Sequence, residues 1–104
     1  MNPVIRNEKN SENPLLGPKD GASNYVMLMV KHDPGESSPD HTHPWEHQAY
    51  ITEGSGILVC DGNDYPIKTG DAVMVPGGIR HQFINTGHVP LHRVTVNPIE
   101  SVQN

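Results

Sequence analysis

The stretch GESSPDHTHPWEHQAYITEG, residues 35–54, carries the strongest signal in this chain. It places His41, His43 and His47 within seven residues, and a fourth histidine, His81, follows in a stretch rich in glycine and proline. Neutral imidazole is the commonest protein ligand for first-row transition metals. Four of the seven histidines fall into this pattern, beside a single cysteine. The sequence therefore predicts a mononuclear metal site built from nitrogen ligands.

The spacing of these histidines fits a site on extended chain. Side chains at positions i and i+2 of a strand project to the same face, so His41 and His43 converge on one point. Pro44 favours an extended conformation at His43 and interrupts regular pairing. The chain can then bend, which lets His47 return to the same point from the start of the next strand. We expect His81 to reach the site from a neighbouring strand.

Outward from this stretch, short apolar runs alternate with turn residues. Asp61-Gly62 between two such runs is a hairpin signal. No window of helical length free of proline and glycine has apolar residues at i, i+3, i+4 and i+7. The strand candidates are Tyr25–Val30, His47–Glu53, Ile57–Cys60, Asp64–Lys68, Ala72–Val75, Arg80–Asn85 and Leu91–Asn97. The expected fold class is all-β, as a small sandwich or barrel.

Length and composition indicate one domain with a tail. A chain of 104 residues is the size of a single domain. Residues 1–23 are polar and interrupted by proline and glycine, so we expect a loosely ordered N-terminal arm before a domain at 24–104. The net charge of −5, without a cluster of lysine or arginine, argues against nucleic acid or an anionic membrane as partner.

Location and redox state follow from what the sequence lacks. Met1 to Leu16 contain no apolar run of the kind found in signal peptides, and no apolar stretch of 18 residues occurs. Cys60 is the single cysteine, which excludes an internal disulfide and a cysteine-rich zinc site. We expect a cytoplasmic protein in which Cys60 is a small buried or edge hydrophobe.

Two spaced motifs connect this pattern with a known family. They are Gly35-x5-His41-x-His43-x3-His47-x6-Gly54 and Gly70-x5-Pro76-x-Gly78-x2-His81-x3-Asn85. Together they closely resemble the two motifs of the cupin superfamily, over about residues 24–98. The resemblance implies a conical jelly-roll β-barrel, a metal inside near its mouth and usually a homodimer. With His47 where most cupins have glutamate, the chain looks most like small single-domain manganese cupins whose metal is held by four histidines.

The exchange of glutamate for His47 has a physical consequence. A fourth neutral imidazole in place of a carboxylate leaves a divalent ion with its full charge, which makes it a stronger Lewis acid and a better anion binder. Strand alternation turns Glu46 away when His47 faces the metal. Ligand softness favours Fe, Ni, Cu or Zn for imidazole, whereas the resemblance points to Mn(II) or Fe(II). We rank Mn(II) and Fe(II) first, with Zn(II) or Ni(II) behind.

Residues of the substrate pocket follow from strand parity. Phe83 shares a face with His81, and Ile51 shares a face with His47, so both should line the pocket. The last strand admits two readings: polarity alone directs Val94 and Val96 inward, whereas the resemblance to cupins directs Arg93 and Thr95 into the cavity. We favour the second, because an arginine there would pair with a substrate carboxylate.

The other residues of interest have simpler readings. The alternative interpretation of His41, His43 and His47 is a solvated histidine-rich loop that binds no metal. The matched second motif argues against this alternative. His32, His88 and His92 are read as surface or strand-edge residues, and Asn85 as a turn residue. Trp45 is interpreted as a packing residue, with a wall of the pocket as the alternative.

Three functions fit this site. The first is a metal-dependent oxidoreductase, dioxygenase-like, that acts on a small organic molecule with dioxygen or a peroxide. The second is a non-redox isomerase, cyclase or lyase, in which the metal stabilises an enolate-like oxyanion and either Glu53 or a metal-bound hydroxide moves the proton, although no base stands out in the sequence. The third is a non-catalytic cupin that binds a small molecule. Fold alone does not decide between them.

Overall fold

The structure is a computed structural model that describes residues 2–103, and these residues form an all-β domain. Its strands are β1 (Tyr25–His32), β2 (His47–Glu53), β3 (Ser55–Cys60), β4 (Asn63–Lys68), β5 (Ala72–Val75), β6 (His81–Ile84) and β7 (Leu91–Pro98). They pair antiparallel in two sheets, ordered β1-β7-β2-β5 and β4-β3-β6. The all-β prediction is confirmed, and the two sheets agree with a jelly-roll barrel.

The core lies between the two sheets because each sheet turns its alternating apolar face inward. Along β2, for example, His47, Ala49 and Ile51 are buried while Gln48 and Tyr50 are exposed. The core cluster combines residues from six strands of both sheets: Ala49, Ile51, Leu58, Ile67, Val75, Phe83 and Leu91. The polar end of this inward face is where the histidines lie.

The Asp61-Gly62 hairpin joins β3 and β4 as the sequence predicts. Both residues have positive φ, 51° for Asp61 and 78° for Gly62, which is the combination a tight two-residue hairpin requires. Strand bounds differ from the predicted ones by one or two residues at several ends; β3 begins at Ser55, for example.

An irregular segment, residues 35–43, extends the smaller sheet beyond β6. The N–H of Ser38 donates to the carbonyl of Phe83 (2.8 Å), and the Phe83 N–H donates to the Ser38 hydroxyl (2.8 Å). At the far end, His41 and His81 exchange two backbone hydrogen bonds of 3.2 and 3.0 Å. This pairing brings the two histidine-bearing motifs together.

The N-terminal arm contacts the outer strand β1. It contains short 3-10 helices at Glu8–Asn10 and Pro18–Asp20. The side-chain amide of Asn13 makes two hydrogen bonds with the backbone of Met29, at 2.7 and 3.0 Å. A division of the chain after residue 23 stays a prediction.

In residues 2–103, no helix has the length and apolar character to cross a membrane.

Asn85 ties the end of β1 to the loop before β7. Its side chain is 1% exposed, donates to the carbonyls of His32 (2.8 Å) and Val89 (2.9 Å), and accepts from the N–H of Gly87 (2.9 Å). Its reading as a turn residue fits these contacts, which are structural.

Replacing Asn85 with Asp should therefore destabilise the fold strongly. The carboxylate has the same shape but cannot donate, so it would face two carbonyl oxygens in a buried position. We expect the free energy of unfolding to fall by about 3 kcal/mol. Urea unfolding at neutral pH measures this. Asn7→Asp is the control, because exposed Asn7 uses only its accepting oxygen, and it should stay within about 0.5 kcal/mol of the parent. Equal stability of the two variants would contradict the assignment.

Candidate metal centre

His41 and His81 lie side by side because their backbones are paired. Their ring centroids are 4.8 Å apart. His81 begins β6 and is 2% exposed, whereas His41 lies at the open end of the barrel and is exposed. The side-chain Nδ1 of His81 lies 2.8 Å from the carbonyl oxygen of Ile79. A carbonyl only accepts, so Nδ1 carries the proton and the Nε2 lone pair is available.

His43 is held in the same way. Its Nδ1 donates to the carbonyl of Trp45 (2.8 Å), and its ring stacks on the Trp45 indole, 4.7 Å between centroids and 11° between planes. Trp45 thus supports the imidazole as well as packing. The N–H of Gly78 donates to the His43 carbonyl (2.8 Å), and a side chain at Gly77 would collide with the Pro44 carbonyl oxygen. The Pro76–Gly78 turn therefore needs glycine to approach this loop.

His47 completes a cluster of four imidazoles, which we call the imidazole cluster (His41, His43, His47 and His81). As the first residue of β2 it is 7% exposed, while Glu46 points to solvent. Its ring lies 5.1 Å from that of His43 and 4.8 Å from that of His81. The ligand atoms of His41, His43 and His81 all lie within 4.8 Å of one another, and His47 stands beside this triad.

The buried nitrogens of the cluster fit a metal ion. Within residues 2–103, the Nε2 atoms of His47 and His81 are buried and have no hydrogen-bond partner. Burying such atoms unpaired is unfavourable, and a metal ion would satisfy both. The four histidines predicted from spacing therefore come together in one cluster, and their role as ligands stays a prediction.

Burial and neighbouring imidazoles favour the neutral form of His41 and His47. Burial, together with the nearby His81 and His43, lowers the pKa of His47 to about 4. Burial, His81 and His43 also lower the pKa of His41. Neutral imidazole is the form that binds metal, so His41 and His47 do not have to lose a proton first at neutral pH.

A cavity of about 260 Å³ adjoins the cluster. Leu28 and Val30 of β1 and the buried ring of Phe83 supply apolar walls, as parity predicts for Phe83. Arg93 and Thr95 also line it, at 6% and 3% exposure, so the last strand points these two side chains inward. Ile51 faces the same interior but is fully buried in the core cluster and is not among the lining residues.

The guanidinium of Arg93 is a buried cation without a carboxylate partner in residues 2–103. Its Nη1 donates to the Thr95 hydroxyl (2.8 Å), and its Nε and Nη2 lie 3.3 and 3.2 Å from Nε2 of His32. It stacks on Phe83, 4.0 Å from the ring centroid. Burial lowers the pKa of Arg93 to about 10, which still leaves it charged at neutral pH.

Three residues in or next to the cavity were not predicted from the sequence. His32, expected at the surface or a strand edge, is 7% exposed; burial and the neighbouring Arg93 lower its pKa, so it accepts from Arg93 as neutral imidazole. Asn97 and Ser101 also line the cavity. Strand parity from Arg93 could have found Asn97, whereas Ser101 lies on the 3-10 helix Ile99–Val102, where no periodic signal exists.

The fold and the site together define a class: small two-sheet β-barrels with a histidine cluster at the open end. Residues 28–97 match the sequence model of the cupin domain family, and the chain belongs to that family.

Several known proteins are similar to this chain over part of their length. The crystal structure of the polyketide cyclase RemF from Streptomyces resistomycificus superimposes with a TM-score of 0.77 at 32% identity, covering 83% of this chain and 62% of RemF. SchB from Streptomyces halstedii is 34% identical over 70 residues, 66% of this chain and 51% of SchB. The oxalate-binding protein of Thermotoga maritima is 37% identical over 72 residues, 68% of this chain and 60% of that protein. The chain thus spans roughly half of these curated relatives.

The lowered pKa of His47 predicts how the metal-free protein responds to acid. Between pH 6.5 and about 4 the unfolded state binds a proton at residue 47 that the folded state does not. The stabilisation contributed by the neutral imidazole of His47 is therefore fully present above pH 6.5. It is lost as the pH falls from 6.5 to about 4, by up to about 1.4 kcal/mol of unfolding free energy per pH unit. Urea unfolding in a chelator at pH 7, 6, 5 and 4 measures the slope.

His47→Gln should flatten this slope between pH 6.5 and 4, and His88→Gln, at an exposed position, should keep the parental slope. A parental slope in His47→Gln would show that the imidazole of residue 47 is not held neutral by its surroundings.

Proposed function

We propose that this protein is a metal-dependent enzyme that acts on a small organic acid by non-redox chemistry of the cyclase or isomerase type. The observation that carries the proposal is the buried, carboxylate-free guanidinium of Arg93 in the cavity that adjoins the imidazole cluster. A cavity with this charge attracts an anion, because no acidic side chain among its described lining residues neutralises it.

The proposed metal ligands are His41, His43, His47 and His81, as in four-histidine manganese cupins. Mn(II) and Fe(II) rank first and Zn(II) or Ni(II) behind. A bound divalent ion would supply Lewis acidity to a carbonyl or enol oxygen of the substrate. The carbonyls of Trp45 and Ile79 fix the tautomers of His43 and His81, so that Nε2 of each imidazole is the donor atom.

In this proposal Arg93 binds the carboxylate of the substrate. A guanidinium has five N–H donors, of which three point to His32 and Thr95. The other two can form charge-assisted hydrogen bonds with a carboxylate. Phe83 beneath the guanidinium and the neutral His32 beside it hold its plane, and Thr95 can donate its hydroxyl proton to a substrate oxygen. The acid is thereby oriented relative to the imidazoles.

The size of the cavity supports a small substrate. Pockets for drug-sized ligands span about 300–1,000 Å³. The cavity here measures about 260 Å³, and its apolar walls at Leu28, Val30 and Phe83 exclude water from the enclosed part of a ligand. Two relatives support the same class: RemF is a polyketide cyclase, and the Thermotoga maritima protein binds oxalate, a small organic acid.

A dioxygenase-like oxidoreductase that uses dioxygen or a peroxide is the second candidate. It is favoured by one observation: the described residues that line the cavity include no carboxylate, lysine, tyrosine or cysteine that could act as a general base. Glu53 does not fill this role, because it lies outside the lining set and its carboxylate is exposed, 3.6 Å from His92. A non-catalytic acid-binding cupin is the third.

We also propose a homodimer formed through the outer face of the larger sheet. Tyr50 and Met74 are 50% and 54% exposed there, and Val94 and Val96 are half-buried beside them, so the face is apolar.

Metal content tests the site. Protein purified without added metal should contain about one transition-metal ion per chain by elemental analysis. His81→Ala should lose it, because a buried ligand with a fixed tautomer is removed, and the exposed His88→Ala should retain it. His47→Ala reports whether residue 47 is a fourth ligand. Parental protein without metal would overturn the site.

Turnover separates the three candidates. Zinc-, iron- and manganese-loaded proteins are incubated with small keto acids, diketones and hydroxy acids while products and oxygen uptake are followed. Turnover by the zinc form without oxygen uptake is expected. Oxygen uptake by the iron or manganese form alone favours the oxidoreductase, and binding without turnover favours the third candidate.

Arg93→Gln should lower kcat/KM for acids about 100-fold, with uncharged diketones much less affected.

A further inference from the structure

The inner face of β7 continues beyond Arg93 as a row of polar side chains. Arg93, Thr95 and Asn97 alternate with outward residues, so all three face the cavity. After β7 the chain enters the 3-10 helix Ile99–Val102, which is anchored by a hydrogen bond of 2.9 Å from the Ile99 N–H to the Asn24 carbonyl. This helix places Ser101 against the same cavity.

Asn97 and Ser101 each bury an oxygen atom that lacks a partner. Within residues 2–103, Oδ1 of Asn97 and Oγ of Ser101 are almost completely buried and make no hydrogen bond. The two other side-chain atoms in this condition are the Nε2 atoms of His47 and His81. All four residues line the same cavity. Unpaired buried polar atoms are unfavourable in a folded protein, and their concentration in one cavity indicates a ligand.

The register of the sheet locates these two residues relative to the rest of the site. Gln48 of β2 lies opposite Val96, so the next antiparallel step sets His47 beside Asn97. Asn97 is thus level with the imidazole cluster. The Arg93 guanidinium reaches the level of Thr95 through its hydrogen bond to that hydroxyl. Two residues of strand, roughly 7 Å, separate that level from Asn97.

The chemistry of the pair fits a hydroxyl group. The Asn97 carbonyl oxygen requires a donor, and the Ser101 hydroxyl can donate or accept. A single hydroxyl on a ligand can donate to Asn97 and accept from Ser101. An isolated anion there would face the Asn97 oxygen, so a second carboxylate fits less well.

We propose that Asn97 and Ser101 form a hydroxyl-binding subsite, which makes the substrate a hydroxy acid with its carboxylate on Arg93 and its hydroxyl roughly 7 Å away, level with the imidazole cluster. The subsite rests on the proposed function for the position of the acid group. It assigns Asn97 and Ser101 a role in specificity that neither the imidazole cluster nor Arg93 supplies.

A matched pair of ligands tests this subsite: 4-hydroxybenzoate and benzoate, which differ by one hydroxyl. Both are titrated by calorimetry into the zinc-loaded protein, a diamagnetic form. The hydroxylated acid should bind about five- to tenfold more tightly, as one satisfied hydrogen bond implies. In amide-resolved NMR spectra, the side-chain resonances of Asn97 should shift with 4-hydroxybenzoate much more than with benzoate.

Asn97→Ala and Ser101→Ala should each abolish this preference, so that the two acids bind with about equal affinity. Each variant should bind benzoate within about twofold of the parent. Gln103→Ala is the matched control, because Gln103 is exposed at the C-cap of the same 3-10 helix, two residues after Ser101, and it should keep the parental preference. Thermal unfolding of each variant checks that the fold is retained.

The outcomes separate this proposal from the proposed function. If benzoate binds and Arg93→Gln abolishes its binding, but the parent shows no preference for the hydroxyl, the subsite is wrong and the acid site stands. If the preference exists and survives both alanine variants, the subsite is also wrong. If the preference depends on Asn97 and Ser101 while Arg93→Gln binds benzoate like the parent, the subsite holds and the acid site fails. Absence of binding by both acids would overturn both.

Discussion

The backbone pairing of residues 35–43 with β6 is the constraint on which the whole site depends. His41 and His81 are 40 positions apart in the chain and become neighbours through two reciprocal backbone hydrogen bonds. Because side chains on directly opposed residues are close, that single bridge sets two imidazoles side by side before any metal is considered. The stacking of His43 on Trp45 and the position of His47 at the head of β2 then complete the cluster. The same segment also supplies lining residues of the cavity, namely Ser38, Pro39, His41 and His43.

The sequence predicted best those features that depend on local spacing. The fold class, the Asp61-Gly62 hairpin and the gathering of the four histidines follow from turn chemistry and strand parity. Strand alternation predicts which face a side chain occupies but not how deeply it is buried on that face. Ile51 therefore faces the interior as predicted, but it lies in the core cluster instead of lining the cavity. Direction itself was ambiguous in β7, since Arg93 and Thr95 are polar and lie inside while Val94 and Val96 are half-buried outside.

Contacts between distant parts of the chain could not be predicted in this way. His32 accepts from a guanidinium 61 positions away, and no local pattern distinguishes it from a histidine at a strand end. Ser101 reaches the cavity only because the chain turns after Pro98 into a 3-10 helix with its own hydrogen bond to Asn24. Charge also differs between inside and outside: the chain has a net charge of −5, whereas the described lining residues of its cavity include the guanidinium of Arg93 and no carboxylate. In the proposed function an anion is selected by the short-range contacts of the cavity, since the negative net charge of the chain provides no long-range attraction.

Burial of the Arg93 guanidinium is unfavourable for folding, although the same charge is the group proposed to bind the acid. In the ligand-free protein the burial of this charge is compensated by only a neutral imidazole, a hydroxyl and an aromatic face. A hydrophobic side chain of similar volume would make the isolated domain more stable, as replacements of buried charges often do. Any anion that occupies the cavity shifts the folding equilibrium towards the native state in proportion to the logarithm of its concentration. If the proposed acid binds there, the melting temperature of the protein reports its occupancy, and selection for a more stable barrel acts against Arg93.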